Sequence, residues 1–204
     1  MKLKICGMKY QENILDVAAL SPDYMGFIFY ENSPRSIDTY IPVIPKSIKK
    51  VGVFVNESLE NVKKKAAQYN LNTVQLHGHE APEFCRKLKS EGLEIIKVFS
   101  IRNEFDFSRL SAYEPFIDFF LFDTKGKNPG GNGFCFDWNV LQDYDANKPY
   151  FLSGGIGVEQ LESLKKFKNS TAAKQCYAID INSKFELKPG LKDDIKLKNF
   201  IKQL

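Results

Sequence analysis

Eight short runs of β-branched and aromatic residues, each closed by a small polar residue or a glycine, constrain this chain more than any other feature. They fall near residues 2 to 6, 25 to 29, 51 to 55, 73 to 77, 95 to 99, 118 to 122, 150 to 153 and 177 to 181. The intervals are roughly 22 to 32 residues, the length of a strand, a helix and two short loops. Most of the intervening stretches carry apolar residues at helical spacing: Ile14, Leu15, Ala18 and Ala19; Leu59, Val62, Ala66 and Tyr69; Phe84, Cys85 and Leu88; Val158, Leu161, Leu164 and Phe167; Ile195, Leu197, Phe200 and Ile201. Ser58, just before Leu59 and Glu60, has the hydroxyl of a helix N-cap. The runs are apolar almost throughout, as strands covered on both faces must be. Strand then helix, eight times, is the pattern of an α/β fold in the form of a closed parallel (β/α)8 barrel, the TIM barrel. An open doubly wound sheet also alternates strand and helix, but with five or six strands and a glycine-rich turn after the first. The count of eight favours closure.

Two units are weaker. The second helix has to fit between residues 36 and 49 around Pro42 and Pro45, so a short or broken helix is expected there. Residues 105–113 are poorly amphipathic, and an irregular fifth helix is expected. With 204 residues, 43% of them hydrophobic, the chain suits one domain with a substantial core, spanning 1–204.

Charge and cysteine use narrow the function classes. The net charge of +4 arises from 29 basic and 25 acidic residues that are mostly interspersed, a solvated surface and not a nucleic-acid footprint. Cys6, Cys85, Cys135 and Cys176 lie far apart, without the paired spacing of a zinc site or a disulfide framework. Reduced thiols in a cytoplasmic protein fit best. No apolar stretch reads as a secretory signal or a membrane span, so no membrane partner is expected.

In a parallel barrel the carboxyl ends of all strands open on one face, and polar residues just after each run converge there. Cys6, Arg35, Asn56, Gln75, His77, Asp123, Ser153, Asp180 and Asn182 all occupy such positions. Each has a plainer reading. A buried cysteine is commonly a small hydrophobe, a strand-end aspartate commonly a helix cap, and a loop arginine commonly a surface charge. Cys6 alone is compatible with a nucleophile, a metal ligand, a base or inert packing. As a base it needs help, because a thiol with a pKa near 8.5 is only about 3% ionised at pH 7. Gly154 and Gly155, after the seventh run, and Asn182 and Ser183, after the eighth, stand where such barrels hold phosphate on backbone N–H groups. A plain turn is the other reading of the glycine pair. Gly126, Gly130, Gly131 and Gly133 crowd the loop after Asp123, which is either a mobile surface loop or a lid over a small substrate.

The ordered set of motifs resembles the phosphoribosylanthranilate isomerase family of tryptophan biosynthesis along the whole chain. The match runs from Lys4-Ile5-Cys6-Gly7 through Gly26-Phe27-Ile28-Phe29, Ser33-Pro34-Arg35, Val51-Gly52-Val53-Phe54-Val55-Asn56 and Val74-Gln75-Leu76-His77-Gly78. It continues through Phe122-Asp123-Thr124-Lys125, Gly130-Gly131-Asn132-Gly133, Phe136-Asp137-Trp138, Ser153-Gly154-Gly155-Ile156 and Asp180-Ile181-Asn182-Ser183, with Glu186 and Pro189-Gly190-Leu191-Lys192-Asp193 at the end. The resemblance implies an isomerase that performs the Amadori rearrangement of N-(5'-phosphoribosyl)anthranilate to 1-(2-carboxyphenylamino)-1-deoxyribulose 5-phosphate, the third step from chorismate. By that resemblance Asp123 is the general acid and Cys6 the general base. Arg35 then meets the anthranilate carboxylate, and Gln75, His77 and Asp180 contact substrate. Gly154, Gly155, Asn182 and Ser183 hold the phosphate, and Gly130, Gly131 and Gly133 belong to the lid. The implied chemistry needs neither metal nor organic cofactor, and the implied partner is a small phosphosugar met by a monomer or homodimer. A related sugar isomerase and a catalytically silent barrel are the competing readings. One departure stands out: Lys184 replaces the glycine usual in the loop after the eighth strand, removing easy access to positive φ.

Overall fold

The computed structural model describes residues 1–124 and 135–204. Eight parallel strands close into a barrel: β1 (Lys2–Ile5), β2 (Tyr24–Ile28), β3 (Lys49–Phe54), β4 (Thr73–Leu76), β5 (Glu94–Ile101), β6 (Phe119–Thr124), β7 (Tyr150–Leu152) and β8 (Cys176–Ile181). The ring is sealed by β1 against β8, in a register that pairs Lys4 with Asp180 and Ile5 with Ile181. Each strand therefore has two neighbours, and the sheet exposes no unpaired edge.

Side-chain alternation divides the strands into an inner and an outer face. Tyr24, Val51, Ile96, Val98, Phe119, Leu121, Phe151 and Ala178 form the inner cluster, all buried. Counting on by two from Leu121, Phe151 and Ala178 reaches Asp123, Ser153 and Asp180, so the same inward register that fills the lower barrel delivers polar groups to its mouth. The larger outer cluster packs the opposite faces of the strands against the helices.

Among the described residues five α-helices cover the barrel: α1 (Gln11–Ala19), α2 (Leu59–Tyr69), α3 (Pro82–Ser90), α4 (Leu161–Lys168) and α5 (Asp194–Ile201). They coincide with the five stretches of helical spacing in the sequence. Ser58 caps α2 by accepting from Asn61 N at 3.2 Å, as its position predicts. The second connection goes further than the expected short or broken helix, for residues 29–48 contain no helix at all. Pro34, Pro42 and Pro45 withhold backbone N–H groups there and keep their predecessors extended. The fifth connection is irregular, as its weak amphipathicity foretells, with 3₁₀ turns at Phe107–Leu110 and Glu114–Phe116. After β6 the covering element is again a 3₁₀ helix, Trp138–Asp143. An antiparallel hairpin, β9 (Glu186–Lys188) with β10 (Leu191–Lys192), lies between β8 and α5. Its turn signal, Pro189-Gly190 with Gly190 at φ +85°, is visible in the sequence.

Candidate functional site

A cavity open to solvent lies at the carboxyl ends of the strands. Cys6, Arg35, Gln75, His77, Asp123, Gly154, Gly155, Asp180, Asn182 and Ser183 all line it, together with Ser153. Ten residues drawn from the whole length of the chain thus meet in one space. Asn56 does not join them. Its backbone sits at φ +51°, its side chain accepts from His79 N at 2.6 Å and its N–H donates to Glu80, so it shapes the β3 and β4 loops instead. Gly130, Gly131 and Gly133, expected to form a lid, lie outside the described residues.

Cys6 leaves the end of β1 and is only 4% exposed. Gly26 of β2 makes room for it, because a Cβ at that position would stand 2.6 Å from the thiol sulfur. Two positions earlier on the same inward face, Lys4 is fully buried and its ammonium donates to Asp180 Oδ1 at 2.8 Å. Ser153 donates to the other carboxylate oxygen of Asp180 at 3.2 Å. Burial opposes the Lys4 charge, but the Asp180 carboxylate and the Cys6 thiol more than offset that, so its pKa is raised and it stays cationic. Burial pushes the Cys6 thiol up; Lys4 and Lys192 pull it back, and Asp180 adds to the upward push. Burial and Asp180 thus favour the neutral thiol, while two cations, Lys4 and Lys192, are placed to favour its anion.

Asp123 ends β6 and is 5% exposed, its Oδ1 accepting the N–H of Thr124 at 2.8 Å. Its Oδ2 faces His77 Nε2 at 3.3 Å. The Gln75 amide donates to His77 Nδ1 at 3.2 Å, which leaves the ring hydrogen on Nε2. Neither His77 Nε2 nor Gln75 Oε1 has a well-aligned hydrogen-bond partner among the described residues, although both are buried. Buried polar atoms left open at a cavity wall are ready-made contacts for a ligand.

After β7, Gly154 and Gly155 adopt φ +92° and +66°. A Cβ on Gly154 would fall 2.2 Å from Thr124 Oγ1, so glycine is required there both for its conformation and for its close approach to β6. The N–H groups of Gly154, Gly155 and Ser183 make no backbone hydrogen bond among the described residues. Backbone N–H groups left open beside one cavity at the ends of β7 and β8 suit an oxyanion. Lys184 sits in the 3₁₀ turn Ser183–Phe185 without a positive φ, and its stem lies over Gly157, outside the set that lines the cavity. Lysine in place of glycine therefore brings no left-handed backbone strain to this turn.

The charged partners of these groups carry little signal in the sequence. Lys4 is visible there only as a lone charge two positions before Cys6 in an apolar strand. Glu186 and Lys192 lie on the hairpin after β8.

Comparison with known proteins points to one family from sequence and from structure. A family model described as N-(5'-phosphoribosyl)anthranilate isomerase matches residues 3–203. A relative of that name from Phocaeicola vulgatus is 46% identical over 204 residues, covering 100% of this chain and 98% of its own. The crystal structure of phosphoribosyl anthranilate isomerase from Thermotoga maritima superposes with a TM-score of 0.82 at 34% identity, covering 100% of this chain and 98% of that one. Another structure of such an isomerase, in complex with reduced 1-(o-carboxyphenylamino)-1-deoxyribulose 5-phosphate, gives 0.80 at 33% identity, with 100% and 97% covered.

Proposed function

The chain belongs to the N-(5'-phosphoribosyl)anthranilate isomerase family and catalyses the Amadori rearrangement that family performs; from that premise we propose how its residues divide the work. The observation that carries the reading is the meeting of Cys6 and Asp123 in one cavity with a guanidinium at one side and the Gly154–Gly155 turn at another. Arg35 receives the anthranilate carboxylate, for which a planar guanidinium is suited. Gly154, Gly155, Asn182 and Ser183 receive the phosphate. The ribose, lying between, is flanked by Gln75, His77 and Asp180.

Asp123 then gives its proton to the ring oxygen as the C1'–O bond breaks and the amine nitrogen lone pair forms the C=N bond. The Cys6 thiolate takes the proton from C2'. The electrons of that C–H bond become the C1'=C2' bond of the enolamine, and those of the C=N bond return to nitrogen. Tautomerisation yields the ketose, so two proton-transfer groups account for the sequence of steps. Lys4 and Lys192 supply the positive field in which the thiolate forms.

The reading places the reaction as the third step from chorismate toward tryptophan, in the cytoplasm, by a monomer or homodimer with a small-molecule partner. No helix among the described residues is long and apolar enough to cross a membrane. The test is the loss of substrate fluorescence on adding purified protein. Wild type is expected to consume it without added cofactor, and Cys6→Ser and Asp123→Asn to be severely slowed. Near-normal rates in either variant would remove that residue from the mechanism.

A further inference from the structure

Arg35 does not wait free in the cavity. Its Nε lies 2.9 and 3.1 Å from the two oxygens of Glu186, and its Nη2 lies 2.7 Å from Oε2. A guanidinium offers two edges to a carboxylate, the side edge formed by Nε and one Nη, and the end edge formed by both Nη atoms. Glu186 occupies the side edge. The Nη1 atom has no partner among the described residues, and Arg35 lines the cavity whereas Glu186 does not. The end edge is therefore the one turned toward a ligand, and its direction is set by Glu186.

Glu186 is itself fixed. Its side chain is 5% exposed, and its Oε1 accepts from Lys192 Nζ at 2.8 Å and from Gly190 N at 3.1 Å. Lys192 Nζ also donates to Asn182, at 2.7 Å to Oδ1 and 3.3 Å to the carbonyl. The backbone of Lys192 is clasped in turn by the Asn13 amide at 2.7 and 2.9 Å. Gly7 closes the assembly, because a Cβ there would stand 2.6 Å from Asn182 Oδ1 and 2.9 Å from Arg35 Cδ. One buried network thus ties Arg35 to the Asn182 turn. Two cations and one anion leave it with an excess positive charge.

We propose that Glu186 is a positioning residue that presents the end edge of Arg35 to the substrate carboxylate and, through Lys192, fixes its distance from the phosphate-binding turn. This rests on the assignment of Arg35 and Asn182 to the two anionic ends of the substrate. The site is then a two-point gauge for ligands carrying an aryl carboxylate at one end and a phosphate at the other.

The test is steady-state kinetics on the ordinary substrate and on its carboxylate-free analogue, N-(5'-phosphoribosyl)aniline. Glu186→Gln is expected to raise KM for the ordinary substrate about tenfold to a hundredfold, the range a charge-assisted hydrogen bond is worth, with kcat changed far less. The carboxylate-free analogue should barely notice the change. In the Arg35→Ala background, Glu186→Gln should add nothing, as expected for two residues acting as one unit. Equal losses on both substrates, additive losses in the double variant, or an unchanged KM would each overturn the proposal. Should Glu186→Gln fail to fold, Glu186→Asp carries the same comparison, keeping the charge but shortening its reach. A wild-type protein that does not turn over the ordinary substrate would instead overturn the function reading beneath it.

Discussion

Two lysines interrupt the apolar strands, Lys4 on β1 and Lys97 on β5, and both are essentially buried and paired with a carboxylate at 2.8 Å. They do opposite jobs. Lys4 lies on the inward face, in register with Cys6, and its partner Asp180 lines the cavity. Lys97 falls between Ile96 and Val98, which point inward, so it points out, beneath the loop that follows β4. There its ammonium donates to Gly78 O at 2.7 Å, Leu76 O at 3.3 Å and Glu80, while Glu80 accepts the N–H groups of Asn56 and Gly78. That arrangement pins the loop carrying His77 and touches no part of the cavity. A buried ion pair is thus no marker of chemistry in itself; the face of the strand decides.

The contrast breaks outright if chemistry does not reside on the inward register. Asp123→Asn and Cys6→Ser are expected to lower kcat by about 10²- to 10⁴-fold, the usual worth of a positioned proton-transfer group, with thermal unfolding close to wild type. Purified variants assayed by substrate fluorescence and calorimetry give both numbers.

Next in size is the outward lysine. Lys97→Met leaves Glu80 buried without its cation, and the expected cost is about 3 to 5 kcal/mol of folding stability. Measured by urea denaturation, that loss should come with a kcat near wild type in whatever fraction stays folded. A large kcat loss at full stability would put Lys97 in the chemistry and erase the distinction.

The inward lysine should reveal itself in a pH profile. Cys6 must lose its proton to act, so kcat/KM climbs with pH until the thiol is ionised, about tenfold per pH unit below its pKa. Burial raises that pKa and Lys4 lowers it. Lys4→Met removes the lowering influence and should move the rising limb to higher pH, whereas Lys97→Met should leave the limb in place. Identical profiles for the two variants would contradict the role given to Lys4.

Acid stability sharpens the same contrast from the other side. Burial opposes the charge of Glu80, but Lys97 and the backbone donors outweigh it and hold its pKa below the usual carboxylate value. A group depressed in the folded state contributes stability above its unfolded pKa, about 4.3, and loses it as pH falls through the lower folded value. Wild type should therefore lose stability below about pH 4 more steeply than Glu80→Gln, read from denaturation midpoints across that range. A parallel decline would show that the pair contributes no pH-linked stability.

How far the sequence carries these conclusions depends on the kind of signal. Strand positions and the inward register are local and periodic, so Cys6, Asp123, Ser153 and Asp180 follow from counting by two along apolar runs. Prolines announce a short or broken helix in the second connection, though not that the helix disappears altogether. The partners of Arg35 and Lys4 were not legible in the same way. Lys4 and Asp180 are 176 residues apart and Arg35 and Glu186 are 151 apart, and each meeting is created only when β8 closes against β1 and the hairpin folds back. Asn56 shows the converse: its strand-end position promised a cavity residue, but a left-handed backbone turned it toward Gly78 and His79.

Lys184 offers the smallest effect and a clean check on that reasoning. In sequence it stands in the strand-8 loop where glycine is usual, close enough to the phosphate side to suggest a compensating cation. In the fold its backbone carbonyl accepts from Lys196 Nζ at 2.7 Å, and its side chain runs over Gly157 and away from the cavity wall. Lys184→Gly should therefore leave KM within about twofold of wild type. Glycine in that turn would loosen the chain by roughly 0.5 to 1 kcal/mol, readable as a small drop in Tm. A several-fold rise in KM with kcat preserved would mean that the lysine reaches the phosphate after all, since that pattern marks lost uniform binding. The charge gauge at the mouth of β8 would then have a third cation beside Arg35 and Lys192.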